Sequence, residues 1–192
     1  MSHNIVIESG KSVKLPTAGK YCDQDIVVTT ISDESIEAIK NYYNGSATTI
    51  QLPNGLTTIR GNAFRSHSEM TGISGLNDVV TVYQYAFADC SSLAGEIRLP
   101  NVVTLVSRAF YNCSKITSVY MPKVSRIQNQ VFYNCTGLKE ITFKSTPTLI
   151  DSTAFQGCTN ITTINVPWAE GKVANAPWGA TNATINYNYK GE

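Results

Sequence analysis

Four cysteines, Cys90, Cys113, Cys135 and Cys158, recur at a near-constant interval of about 23 residues, and His67 stands one such interval before the first. Thiols and an imidazole are the residue types that hold zinc, cross-link a chain or pair as nucleophile and base. Zinc sites draw on cysteine pairs about two to four residues apart, and this chain has none. A nucleophilic pair of Cys90 with His67 is geometrically conceivable on adjacent turns of a stack, but no acid shares their register to orient the imidazole. Cys22 has no evident partner, and His3 stands near the terminus. There is no Gly-x-Ser-x-Gly elbow, phosphate-cradling glycine loop, His-Glu-x-x-His pair or calcium-loop pattern. Acidic residues are scattered and never pair in one register, so glycosidase chemistry has no signal. The chemistry-bearing residues thus indicate no catalytic residue, metal ligand or cofactor, and no enzyme is expected.

What the cysteine spacing does indicate is an internal repeat. Phe64, Phe87, Phe110, Phe132 and Phe155 keep the same interval, and each cysteine, or His67 in the first unit, lies three residues after its Phe. Six residues after each Phe come Met70, Leu93, Ile116, Leu138 and Ile161, and five before come Ile59, Val82, Leu105, Ile127 and Ile150. Leu138-x-x-Ile141-x-Phe143 and its equivalents alternate as a short strand does. Pro53, Pro100, Pro122 and Pro167 follow these strands, where the missing N–H suits an exit and not a ladder interior. The second half of each unit reads as another short strand leading into a turn. A unit this short cannot enclose a core of its own and must stack on copies of itself, with strands about 4.8 Å apart. Like residues then form ladders, and the cysteines are expected to be buried thiols beside the phenylalanines, free but inaccessible. Adjacent rungs fall within the Cα separation that a disulfide allows, so an occasional bond stays open.

The pattern Leu-x-x-Ile-x-Phe/Val-Pro, then Val-x-x-Ile-x-x-x-Ala-Phe-x-x-Cys, resembles the BspA-like class of bacterial leucine-rich repeats over about residues 50–167. The resemblance implies a leucine-rich-repeat solenoid of about five to six units with a parallel sheet on its concave face. It also implies a cell-surface or secreted binding protein without catalytic activity, although no signal peptide or wall anchor is visible.

Residues 1–49 and 168–192 lie outside the repeat and are expected to cap the open ends of the stack at 50–167. In the first, Ile5-Val-Ile and Ile26-Val-Val read as strands, and Ser32 to Gly45 predicts a helix over about 33–44, with Ile36, Ile39 and Tyr43 facing the first unit. The stretch from Leu15 to Val28 looks similar to short segments of phage tail-associated proteins and of gut-bacterial repeat proteins. In the second, Trp168 and Trp178 are expected as lids, and Ile185-x-Tyr187-x-Tyr189 as a last strand.

Composition bounds the partners. The chain has 192 residues, 15 Lys+Arg against 14 Asp+Glu, and only 15% charged residues, while Ser, Thr and Asn supply 54 positions. This balance argues against nucleic acid, and no apolar run reaches the length of a membrane helix. The Asn-x-Ser/Thr triplets at Asn44, Asn112, Asn134, Asn160 and Asn182 read as turn residues and not as glycosylation sites. The remaining functional surface is the solvent side of the first strand of each unit: Gln51, Ser74, Glu96, Arg98, Tyr120, Glu140, Thr142 and Asn165. These predict a preformed, non-catalytic surface for a protein or glycan, with Arg98 and Tyr120 as anchors, on a monomer. The alternative is a structural component, a phage tail-associated or surface-layer element attached through residues 1–49.

Overall fold

The structure, a computed structural model, describes residues 12–14, 18–21, 24–27, 30–31, 49–52 and 55–191. The predicted helix over 33–44 and the Ile5-Val-Ile strand lie outside them. Among the described residues the chain is a stack of coils with two strands per coil and no α-helix.

The first strand of each coil gives one row: β1 (Ser12–Lys14), β5 (Thr49–Gln51), β7 (Gly72–Ser74), β9 (Gly95–Arg98), β11 (Ile116–Tyr120), β13 (Glu140–Thr142), β15 (Thr163–Asn165) and β16 (Thr184–Asn186). Hydrogen bonding divides this row into three parallel blocks, β1-β5-β7, β9-β11 and β13-β15-β16. The second strand gives an unbroken six-stranded parallel row: β4 (Thr30–Ile31), β6 (Thr58–Ile59), β8 (Thr81–Val82), β10 (Thr104–Leu105), β12 (Arg126–Ile127) and β14 (Leu149–Ile150). Parallel pairing in constant register is what so regular a repeat dictates, since each strand meets its own equivalent in the next coil. An antiparallel hairpin of β2 (Ala18–Tyr21) and β3 (Gln24–Val27) falls between β1 and β4 in the chain. The rows therefore run past 50–167 at both ends, through β1 and β4 on one side and β16 on the other.

Each coil closes through a turn centred on its phenylalanine. Around the first four phenylalanines the residues two before and two after take left-handed backbone angles: Asn62 and Ser66, Tyr85 and Asp89, Arg108 and Asn112, Gln130 and Asn134. Two such bends swing the chain around the ring and drive it inward. Phe64, Phe87, Phe110, Phe132 and Phe155 are all fully buried. Their rings stack at centroid distances of 5.0, 5.0, 5.5 and 5.5 Å, within 9° of parallel. The main chain ties the turns together, as the N–H of each Phe donates to a carbonyl of the next coil, for example Phe64 to Ala86 and Phe132 to Ala154, both one residue before a Phe. Phe155 donates to Trp178, so the tail supplies a further turn. There Trp168 and Trp178, both buried, meet Phe143 and each other edge to face at 5.4, 6.2 and 6.3 Å. Together they cover the aliphatic ladder at that end.

Candidate functional site

The cysteine register is a structural ladder. Cys90, Cys113, Cys135 and Cys158 are buried thiols outside any disulfide. Each thiol donates to the carbonyl of the Phe one coil earlier: Cys90 to Phe64 at 3.0 Å, Cys113 to Phe87 at 3.0 Å, Cys135 to Phe110 at 3.1 Å and Cys158 to Phe132 at 2.9 Å. Burial pushes the thiols of Cys113 and Cys135 well above the ordinary range, with the neighbouring thiols adding to the shift, and raises Cys158 to about 12. A thiol held protonated in this way is a poor nucleophile and a poor metal ligand. His67 is buried in the same register. Among the described residues no group of three or more His, Cys, Asp and Glu is placed to hold a metal ion, and no helix is long and apolar enough to cross a membrane.

The first strand row presents the residues predicted from the sequence, in the three blocks that the hydrogen bonding defines. Gln51 enters through its backbone, in register with Lys14 and Ser74. Ser74 is exposed at the edge of that block. In the second block Glu96 and Arg98 on β9 lie beside Tyr120 on β11, because the register sets Arg98 opposite Tyr120. An Arg98 Nη1 donates to Glu96 Oε2 at 2.7 Å, with the two side chains 60% and 41% exposed, and its guanidinium lies 4.4 Å from the centre of the Tyr120 ring. Strand alternation explains the placement: Ile97 and Val119 point into the core, so Glu96, Arg98 and Tyr120 point out.

The third block departs from expectation. Alternation predicts that Asn165 faces solvent, but it is only 3% exposed. Its Nδ2 donates to Glu140 Oε1 at 2.5 Å and to Thr142 Oγ1 at 3.1 Å, and its Oδ1 accepts from Asn186 Nδ2 at 2.8 Å. Thr142 also donates to Glu140 at 3.2 Å. β16 adds to β15 and brings Asn186 over Asn165. Glu140, which stays exposed, Thr142 and Asn165 are thus bonded to one another and hold the strands in register, while the second block is where an exposed ion pair meets an aromatic ring.

Sequence reasoning confined to the strands missed a second constellation on the turns. Tyr85 and Arg108 lie two residues before a Phe, and Arg65, Tyr111 and Tyr133 one residue after. The guanidinium carbons of Arg65 and Arg108 lie 4.7 and 5.5 Å from the centre of the Tyr85 ring. Arg108 is also 5.9 Å from the Tyr111 ring, which stacks on Tyr133 at 4.8 Å and 5°. Repeat register was the signal that could have found this column, since equivalent positions of adjacent coils must meet.

A family model described as BspA type leucine-rich repeat region matches residues 20–128 and 103–175, with six copies. Among solved structures, a leucine-rich repeat protein from Bacteroides ovatus aligns with a TM-score of 0.64 and 20% identity, over 81% of this chain and 39% of that one. The pneumococcal vaccine antigen PcpA aligns with a TM-score of 0.64 and 18% identity, over 93% of this chain and 42% of that one. This chain therefore spans about two-fifths of the length of either. No curated protein matches it. A repeat matched over most of the chain and built as parallel coils on stacked Phe and Cys ladders leads to one conclusion: the chain belongs to the BspA type leucine-rich repeat family.

Proposed function

We propose that the chain is a non-catalytic binding or adhesion module of a bacterial surface, taking a protein or glycan ligand on the second block of its first strand row. The observation that carries this reading is the Glu96–Arg98–Tyr120 cluster, in which exposed Glu96 and Arg98 and half-buried Tyr120 are held in place by strand register, an ion pair and a ring contact. Arginine and tyrosine are the residue types that dominate binding hot spots, and a preformed pair loses little side-chain freedom when a ligand docks. The solenoid supplies the rigidity, because β9 and β11 pair with each other and the second strands of the same coils, β10 and β12, belong to the unbroken row. Family membership supports a binding role, and the likeness to a fold described as a pneumococcal vaccine antigen supports display at a surface.

The test is an array of host matrix proteins and glycans probed with the intact chain. Arg98→Ala combined with Tyr120→Ala should abolish the signal while changing stability by less than about 1 kcal/mol, as befits side chains outside the core. Binding that survives both substitutions places the ligand elsewhere and overturns the assignment.

A further inference from the structure

We infer a second binding site on the turn side of the solenoid, for a linear acidic polysaccharide laid along the stack. Arg65, Tyr85, Arg108, Tyr111 and Tyr133 form a continuous column across four successive coils, at the ring distances given above. Among the described residues its central cation is positioned by uncharged partners: Arg108 Nε donates to Gln130 Oε1 at 2.7 Å, and an Arg108 Nη1 donates to the Tyr85 hydroxyl. Fixing the guanidinium in this way leaves its charge to act on a ligand.

The surroundings share that sign. Four of the five arginines of the chain, Arg60, Arg65, Arg108 and Arg126, lie on the second strand row or the turn that follows it. The same described segments, 58–66, 81–89, 104–112, 126–134 and 149–157, contain no lysine and two acids, Asp89 and Asp151. Both acids bond to neutral groups and keep their charge, Asp89 to the Asn112 amide at 2.8 Å and Asp151 to the backbone and hydroxyl of Thr153 at 2.9 and 2.7 Å, so four arginines face two carboxylates. A nearly neutral chain therefore carries a basic, lysine-free face, and guanidinium groups match carboxylate geometry in a way that ammonium groups do not.

Ring geometry selects the class of polyanion. Single-stranded nucleic acid is held by bases stacking on open aromatic faces. Here each ring has one face taken, Tyr111 and Tyr133 by each other and Tyr85 by the Arg65 guanidinium, while Arg108 meets Tyr85 at its hydroxyl. The rings are half-buried. What such a column offers is ring edges, phenolic hydroxyls and guanidinium donors at the rung repeat, which complement the hydroxyls and carboxylates of a uronic-acid chain.

The probe is polygalacturonate immobilised on a column, with the intact protein eluted by salt. Wild type should be retained and then released by salt, and it should pass through a neutral dextran column. Arg108→Gln should weaken retention by roughly tenfold, as expected for the loss of a charge-assisted bidentate donor, and exposed Arg65→Gln should weaken it without touching the core. Lys172→Gln and Lys190→Gln, which make the same change in net charge on exposed residues outside these segments, should elute with wild type. Arg98→Ala with Tyr120→Ala should also elute with wild type, so this site and the one on the first strand row stand or fall separately. The inference is overturned by a wild type that is not retained, by lysine variants that shift as far as Arg108→Gln, or by Arg65→Gln and Arg108→Gln that both elute unchanged. Tighter binding to a thymidine oligonucleotide than to polygalacturonate would equally overturn the choice of ligand.

Discussion

Cys113, Cys135 and Cys158 keep their protons in the fold because ionising any of them would strand a thiolate in the core beside other thiols. An unfolded cysteine has no such restraint and ionises near its ordinary value of 9.0. Above that pH the unfolded chain binds fewer protons than the folded one, so stability must fall as pH rises. For Cys158 the loss runs from about pH 9 to its folded value of about 12 and then levels off; below pH 9 none of the three contributes a slope. Denaturant titrations between pH 7 and 11 should therefore show a decline that Cys135→Ala makes shallower, whatever that substitution does to stability at pH 7. An unchanged slope would mean that the thiol is not held neutral. The same burial predicts that thiol reagents label these cysteines only after unfolding, and fast labelling of the native protein would contradict the ladder.

At the level of strands, one glycine accounts for a break that the repeat alone does not predict. Gly75 follows β7 at the register position held by Leu52, Leu99, Met121, Phe143 and Val166 in the other coils. Its φ is +81°, and a Cβ there would sit 2.2 Å from the carbonyl oxygen of Leu52. The left-handed bend turns the chain away where other coils insert a side chain, and β7 and β9 fall in different blocks. Gly75→Ala should cost about 2–4 kcal/mol, combining the strain of a positive φ with a backbone collision. A fall in the denaturation midpoint with an unchanged denaturant slope would report it, and a loss under about 0.5 kcal/mol would show that the coil relaxes around the methyl group. Most of the architecture was legible without coordinates, because Phe, Cys and aliphatic positions recurring together at one interval admit little except a stack of parallel coils. The candidate site was legible in part. Alternation matches the exposure of Glu96 and Arg98, with Tyr120 half-buried beside them. It misplaced Asn165, whose burial depends on β16 arriving from the tail to supply Asn186. The Tyr and Arg column escaped notice because the turns have no strand alternation, and left-handed residues such as Tyr85 and Arg108 are not marked by glycine.

For the molecule as a whole, a stack in which each coil bonds only to its neighbours should tolerate the loss of one complete coil and not of a fraction. Removing Thr104–Ser125, one whole coil, joins Val103 to Arg126. Since Thr104 and Arg126 already occupy equivalent positions, β8 would then meet β12 in native register. Phe132 would stack on Phe87, and Cys135 would find the Phe87 carbonyl where Cys113 now finds it. The shortened chain should fold cooperatively, with a lower midpoint and a smaller denaturant slope because it exposes less surface on unfolding. Removing only Thr104–Ser114 shifts every later ladder position, sets polar residues against the Phe column and should abolish folding. The deletions also separate scaffold from function. The whole-coil variant lacks Tyr120 of the first row and both Arg108 and Tyr111 of the turn column, so it should fold yet bind at neither surface. Circular dichroism and an unfolding curve distinguish the two deletions. If the whole-coil variant fails to fold while single substitutions in that coil are tolerated, stability is not held between neighbours and the one-dimensional account of this molecule is wrong.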